Sequence, residues 1–248
     1  SAAPAIVFEP YEFVAGDGTK VQAERGVFSV PENRLVPGSR MIELGMVRFK
    51  ATGANPGAPI IYLAGGPGGS GVGTARGRRF PLFMAMREFG DVIAFDQRGT
   101  GWSNHVPRCR TEHQFPLDEP VTIERSMPIL RQAADECAAF WRSKGVDLSG
   151  YNTAESARDI EALQAALGAP KVSLWGISYG SHLAFAVLKA MPGKVDRMVL
   201  AGLEGPDDTI KLPTHTDGYF ARLQGAIDAD PAWREHVHKS DSGAVLFR

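Results

Sequence analysis

Short apolar runs alternate along this chain with stretches whose apolar residues recur at helical spacing. Val27-Phe-Ser-Val30, Met41 to Phe49, Pro59 to Ala64, Asp91 to Phe95, Lys171 to Trp175 and Arg197 to Ala201 each read as a strand bounded by glycine, proline or polar turn residues. Between them, residues 80–88, 126–144, 157–167 and 181–189 have helical character. Within 126–144, Ile129, Leu130, Ala133, Ala134, Cys137 and Phe140 can share one face. Asn152, with Glu155 three residues on, resembles a capping box ahead of 157–167, and Gly168 is placed to end that helix. Buried strands alternating with amphipathic helices predict an α/β fold: a mostly parallel sheet with helices on both faces and the antiparallel-looking first 50 residues at one edge. The pattern changes after Gly205. Residues 1–205 are expected to form the sheet-based core, and 206–248, with a helix over 219–229, the beginning of a cap inserted into it.

Two glycine-rich turns carry the candidate chemistry. Gly176-Ile-Ser-Tyr-Gly180 follows one expected strand and leads directly into a helix. This is the setting in which a G-x-S-x-G turn lifts a serine hydroxyl above a sheet as a nucleophile, here Ser178. Gly65-Gly-Pro-Gly-Gly-Ser-Gly71 also follows an expected strand. Such a loop lets backbone amides face inward, and an acyl-transferring serine needs amide donors for its tetrahedral oxyanion. The Gly66 amide, with the Tyr179 amide after the nucleophile, is the favoured pair; Gly65 and Gly68 are weaker candidates. A phosphate cradle is disfavoured, because no Lys-Ser/Thr pair follows the glycines.

Composition narrows the partners. The 248 residues carry a net charge of -1, with 44% hydrophobic and 22% charged residues, which gives no electrostatic case for nucleic acid or an anionic membrane surface. Arg76, Arg78 and Arg79 read as a solvated loop. No apolar run reaches the roughly 18 residues of a membrane helix. Cys109 and Cys137, the two cysteines, fit no zinc or redox spacing; a disulfide and a pair of reduced thiols both remain open. No metal or organic cofactor is implied.

Gly65-Gly-Pro-Gly-Gly69, Asp96-Gln-Arg-Gly-Thr-Gly-Trp-Ser103 and Gly176-Ile-Ser-Tyr-Gly180 together resemble the three signatures of α/β-hydrolase peptidases, the prolyl iminopeptidases and, closer still, the secreted bacterial tripeptidyl aminopeptidases. The likeness runs from about Val27 to Pro206. It implies an α/β-hydrolase fold, with Ser178 as nucleophile, Gly66 and Tyr179 as oxyanion amides, and Asp96 and Arg98 as structural ties between loops. It also favours a Cys109–Cys137 disulfide and a secreted or periplasmic location over a cytoplasmic one. The implied reaction releases residues or short peptides from the amino end of a peptide substrate through an acyl-enzyme.

In this fold the triad acid and histidine follow the serine. The residues after Ser178 offer poor candidates. His182 lies one turn along the same helix, whereas His215, His236 and His238 fall in cap-like sequence. Asp207 and Asp208 come one strand earlier than the usual acid. No further strands are evident after Ala201. The expectation is therefore an N-terminal portion, whose Asp and His come from sequence outside it, including a second polypeptide that carries the C-terminal half of the fold. Glu204, closing the last strand, is a candidate anchor for the substrate's terminal ammonium. A carboxylesterase or lipase, and a non-catalytic polypeptide that needs a partner chain, are the competing readings. A dehalogenase or epoxide hydrolase would place Asp where Ser178 stands.

Overall fold

The structure is a computed structural model that describes residues 5–115, 118–207, 212–234, 237–239 and 245–247. Contacts divide the chain into two units, residues 1–206 and 207–248. The first holds a seven-stranded sheet in the order β1-β2-β3-β5-β4-β6-β7. Its strands are β1 (Val7–Val14), β2 (Lys20–Pro31), β3 (Met41–Phe49), β4 (Ile60–Leu63), β5 (Val92–Phe95), β6 (Val172–Ile177) and β7 (Val195–Ala201). Neighbours from β1 through β3 to β5 are antiparallel, and β5, β4, β6 and β7 run parallel.

Side-chain alternation along the central strands fills two cores. Ile61 and Leu63 point to one face, with Leu44, Met46, Ile93, Phe95 and Leu174. That face is covered by α4 (Thr153–Ala166), through Ile160 and Leu163, and by α5 (Tyr179–Ala190), through Leu183 and Val187. Ile60 and Tyr62 point to the other face, with Phe49 and Trp175, under α1 (Gly71–Arg76) and α2 (Phe80–Met86). There Tyr62, Phe83 and Trp175 pack ring against ring at centroid separations of 4.7 to 5.0 Å, a geometry that adds to plain area burial.

Several elements depart from the sequence expectation. β1 and the first half of β2 extend the sheet ahead of Val27. In β1 only Phe13 is buried, and Glu9, Pro10 and Glu12 interrupt the apolar pattern; an edge strand tolerates this because one side needs no partner. The capping box at Asn152 is half formed. Asn152 Oδ1 accepts from Glu155 N at 2.9 Å, but the Glu155 carboxylate is bonded to Arg34 at 2.6 Å. α3 (Ile123–Ser143) starts three residues early on a Thr122 cap, and its expected buried face is absent: no residue of it is buried, and Leu130 is 50% exposed. A Cys109–Cys137 disulfide and a 2.7 Å bond from Trp141 Nε1 to Pro107 O tie α3 to the preceding loop instead.

In the second unit, α6 runs Pro213–Ala229, starting six residues before Tyr219, and α7 is Pro231–Arg234. Strands do occur after Ala201: β8 (Val237–Lys239) and β9 (Val245–Phe247) pair antiparallel with each other as a separate two-stranded sheet. Among the described residues no helix is long and apolar enough to cross a membrane.

Candidate active site

Ser178 stands between the end of β6 and the start of α5, with φ 55° and ψ −125°. It is the sole non-glycine residue at positive φ among the described residues. Such a conformation costs on the order of 1–3 kcal/mol and persists only where the surroundings impose it. They do so here. A Cβ at Gly176 would lie 2.5 Å from Gly180 O, and one at Gly180 would collide with Leu63 O. The turn can therefore close against β4 only with glycine on both sides. Ser178 N donates to Ala201 O at 2.9 Å, which fixes the turn to β7.

The glycine-rich loop after β4 lies against the nucleophile. A Cβ on Gly65 would sit 3.0 Å from Ser178 Cβ and 2.7 Å from Ile177 O. Gly69 N closes the turn onto Gly65 O at 3.0 Å, and Gly66 takes φ +123°. Tyr179 is the first residue of α5, so its N–H has no acceptor within the helix and belongs to the electropositive helix end. The Tyr179 hydroxyl is 2.9 Å from Thr153 Oγ1, which steers the ring towards α4. The geometry thus brings Gly65, Gly66, Ser178 and Tyr179 to one place at the carboxyl ends of β4 and β6.

Asp96 and Arg98 follow β5 and do not pair with each other. Asp96 is fully buried; its carboxylate accepts from Ser70 Oγ at 2.7 Å, Val72 N at 3.0 Å and Trp102 N at 2.8 Å. It thereby holds the far end of the glycine loop to the turn after β5. Gln97 Nε2 donates to Ala64 O at 2.9 Å and secures the near end. Arg98 forks onto Asp159 with two 2.7 Å bonds, and its Nη1 donates to Glu32 O and Gly150 O at 2.5 and 2.6 Å. Arg34 adds a 2.8 Å bond to the same Asp159. Glu32, in turn, accepts from Arg40 and from the Tyr151 hydroxyl at 2.8 Å. Burial raises the Glu32 carboxyl, but the bonds from Arg40 and Tyr151 outweigh it and hold the group below its ordinary value. Burial, followed by the bond to Glu32, pushes the Tyr151 phenol up to about 12.

The segment after β7 carries a contact that spacing could not reveal. Ser178 Oγ donates to Glu204 Oε1 at 3.1 Å. The approach is organised by Ser181, whose wholly buried hydroxyl donates to Ser178 O at 2.6 Å and accepts from Glu204 N at 2.9 Å. In sequence Ser181 is an ordinary first-turn helix residue, and no signal marks it. His182 Nδ1 lies 3.0 Å from Gly205 O. A carbonyl only accepts, so the proton is on Nδ1 and the ring is held to this loop.

Among the described residues no histidine hydrogen-bonds Ser178. His215 lies in α6 of the second unit, and His238 is in β8. His236 and Asp208 lie outside the described residues, and Asp207 just precedes the second of the undescribed internal segments. Among the described residues no group of three or more His, Cys, Asp or Glu could hold a metal ion.

Residues 58–248 match the model of the alpha/beta hydrolase fold family. The chain is 32% identical over 247 residues to a tripeptidyl aminopeptidase of Streptomyces coelicolor, covering 89% of this chain and 42% of that protein. It is 30% identical over 189 residues to the serine protease Hip1 of Mycobacterium tuberculosis, covering 73% of this chain and 36% of that one. A carboxylesterase B of M. tuberculosis is 32% identical over 165 residues, covering 62% and 31%. The chain thus spans less than half the length of each of these relatives. With the elbow, the sheet order and the family match in agreement, this chain belongs to the α/β-hydrolase fold family.

Proposed function

We propose that the chain forms the nucleophile-bearing part of a serine aminopeptidase. The observation that carries this reading is the strained Ser178 at the β6–α5 turn with the Gly65–Gly69 loop packed against it. In the proposed reaction Ser178 Oγ attacks the scissile carbonyl and its proton passes to a histidine. The oxyanion is bound by the Gly66 and Tyr179 amides, each such donor contributing about 3–4 kcal/mol in comparable sites. The protonated histidine then releases the amine, and water hydrolyses the acyl-enzyme. Glu204 binds the substrate's terminal ammonium.

The histidine and its acid are assigned to sequence outside this chain, in the remainder of a longer protein or in a second polypeptide. Two observations support that. The relatives are more than twice as long as their matched share, and among the described residues β7 ends the sheet with no further strand on its outer edge. Val199 on β7 is 56% exposed, whereas strands of parallel sheets are ordinarily covered on both faces. The disulfide supports an oxidising, extracytoplasmic location.

The carboxylesterase B relative favours a second reading, ester hydrolysis by the same machinery. A fluorophosphonate probe applied to the protein as its host makes it, with any co-purifying polypeptide retained, and followed by peptide mapping tests the nucleophile; labelling of Ser178 is expected, and an unlabelled protein favours a non-catalytic polypeptide. Turnover of aminoacyl amides against short acyl esters separates peptidase from esterase, since activity on esters alone rejects the peptidase.

A further inference from the structure

We infer that Gln97 is a positioning residue for the oxyanion: through Ala64 it sets the direction of the amides that open the glycine-rich loop beside Ser178. The inference rests on the serine-hydrolase reading above and adds a residue that acts on the reaction without touching substrate. Gln97 Nε2 donates to Ala64 O at 2.9 Å, and both residues are buried. A carbonyl only accepts, so the amide nitrogen of Gln97 faces it. Ala64 O also lies against the elbow, where a Cβ on Gly180 would come within 3.2 Å of it. One side-chain bond from the turn after β5 thus meets the end of β4 where the nucleophile's helix begins.

A trans peptide unit is planar, with its C=O and N–H pointing in opposite directions. The direction of Ala64 O therefore sets that of Gly65 N–H, and the direction of Gly65 O sets that of Gly66 N–H. Gly69 N holds the second carbonyl at 3.0 Å. Gln97, 33 positions on in sequence, holds the first. Gly65 has no side chain to resist rotation of the peptide before it, so the first plane of the loop depends on that bond. Without the donor a buried carbonyl is left unpaired, a costly state that rotation of the Ala64–Gly65 peptide relieves. The rotation swings the Gly65 amide and shifts the start of the Gly65–Gly66 unit. An oxyanion donor is effective only when it is already in place at the right distance.

The donor is itself firmly seated. Gln97 O accepts from Thr100 N at 3.0 Å and from Thr100 Oγ1 at 2.8 Å. On the preceding residue, Asp96 N donates to Gly45 O at 3.1 Å, and Ser103 Oγ donates to Asp96 O at 2.6 Å. The turn after β5 is thereby fastened to β3, and Gln97 passes that fixed position to the loop. The Asp96 carboxylate works elsewhere: it reaches Ser70 and Val72, beyond the candidate donors.

The test uses the protein as its host makes it, with any co-purifying polypeptide retained, and whichever of an aminoacyl p-nitroanilide or a short acyl p-nitrophenyl ester the wild type turns over. Rates are expressed per Ser178 labelled at completion by a fluorophosphonate, which counts folded sites. In Gln97→Leu, kcat per site is expected to fall ~10- to 100-fold while KM changes less than about threefold, the split of a group that serves the transition state. Gln97→Glu is the decisive variant, because a carboxylate offers Ala64 O no proton and a carboxylic acid offers one. Its kcat per site, relative to the wild type at the same pH, is expected to rise ~5-fold or more between about pH 8 and about pH 5.5, whereas the Gln97→Leu ratio stays flat. If Gln97→Leu does not fold, the Gln97→Glu series decides alone, and a flat ratio there overturns the positioning role. A Gln97→Leu protein with fewer labelled sites but unchanged kcat per site overturns it as well, since the bond then serves stability only. Both results leave the serine hydrolase standing. A wild type with neither labelling nor turnover overturns that reading and the positioning role with it.

Discussion

A single hydroxyl, that of Ser181, joins the two halves of the candidate site. It has a donor and an acceptor, both backbone groups, and no contact with solvent. Ser181→Ala leaves Glu204 N without its partner and is expected to cost about 1–2 kcal/mol, read from urea unfolding. It should also lower kcat/KM for free-amine substrates more than the rate of fluorophosphonate labelling, because the carboxylate loses its tether while the elbow keeps its glycines. Gly180→Ala probes the elbow itself. The added methyl meets Leu63 O, so a loss of about 2–3 kcal/mol is expected with a parallel loss of labelling. A variant that labels normally and melts with the wild type would show that the turn does not need to approach β4 so closely.

At the scale of elements, the loops around the sheet edge are tied by buried charge. Removing Arg98 leaves Asp159, which is also buried, with Arg34 as its remaining guanidinium partner. Arg98→Ala is expected to destabilise by about 3–5 kcal/mol, and Arg98→Lys to recover only part of it, since a lysine cannot reproduce the fork. The same cluster sets a pH range. Glu32 is held below its ordinary 4.5, so its contribution is complete above that value and is lost as pH falls below it. Tyr151 is held up at about 12, so its contribution is complete below about 10 and is lost as pH rises from there towards 12. Urea midpoints measured across pH should show both shoulders, and Tyr151→Phe should flatten the alkaline one. An alkaline slope unchanged in Tyr151→Phe would assign it to other groups.

Which elements could be read from the sequence follows from how each one is buried. β4 and β5 are buried on both faces, so they appear as unbroken apolar runs, Ile60–Leu63 and Val92–Phe95. β1 shows one buried side chain and hides among charged neighbours. α3 has the periodicity of a buried helix without the burial, because a disulfide and an indole bond hold it where packing does not. In the site, Ser178 and the glycines announce themselves because backbone geometry restricts those positions to few residue types. Ser181, Gln97 and the Ser178–Glu204 contact do not, because their roles depend on which loops the sheet order brings together. The reach of that order is long: Glu204 lies 26 positions after Ser178.

For the first unit as a whole, the open side of the sheet matters most. Among the described residues β7 borders β6 alone; Val199 on it is 56% exposed and Leu203, just beyond its end, is 67% exposed. If this edge receives the remainder of the fold, Val199→Lys should leave the chain's own unfolding midpoint nearly unchanged and abolish its association with the C-terminal half. Urea melts and size-exclusion chromatography of the two pieces would report this. Undiminished association would place the partner elsewhere. Reduction of the Cys109–Cys137 bridge is expected to act on a different region. It releases a closure spanning 28 positions, so amide exchange should quicken in α3 and the loop before it while the central strands keep their protection.

The bond from Glu204 N to Ser181 Oγ has a practical consequence for anyone who would redesign this protein. Because the segment after the last strand takes its seat from a side chain on the nucleophile's own helix, it is not an independent module. Transplanting Leu203–Pro206 into another scaffold would carry its register only where the recipient offers a small hydroxyl three positions beyond its serine. A library that randomised this segment while holding position 181 constant would sample side-chain chemistry without losing the frame that displays it.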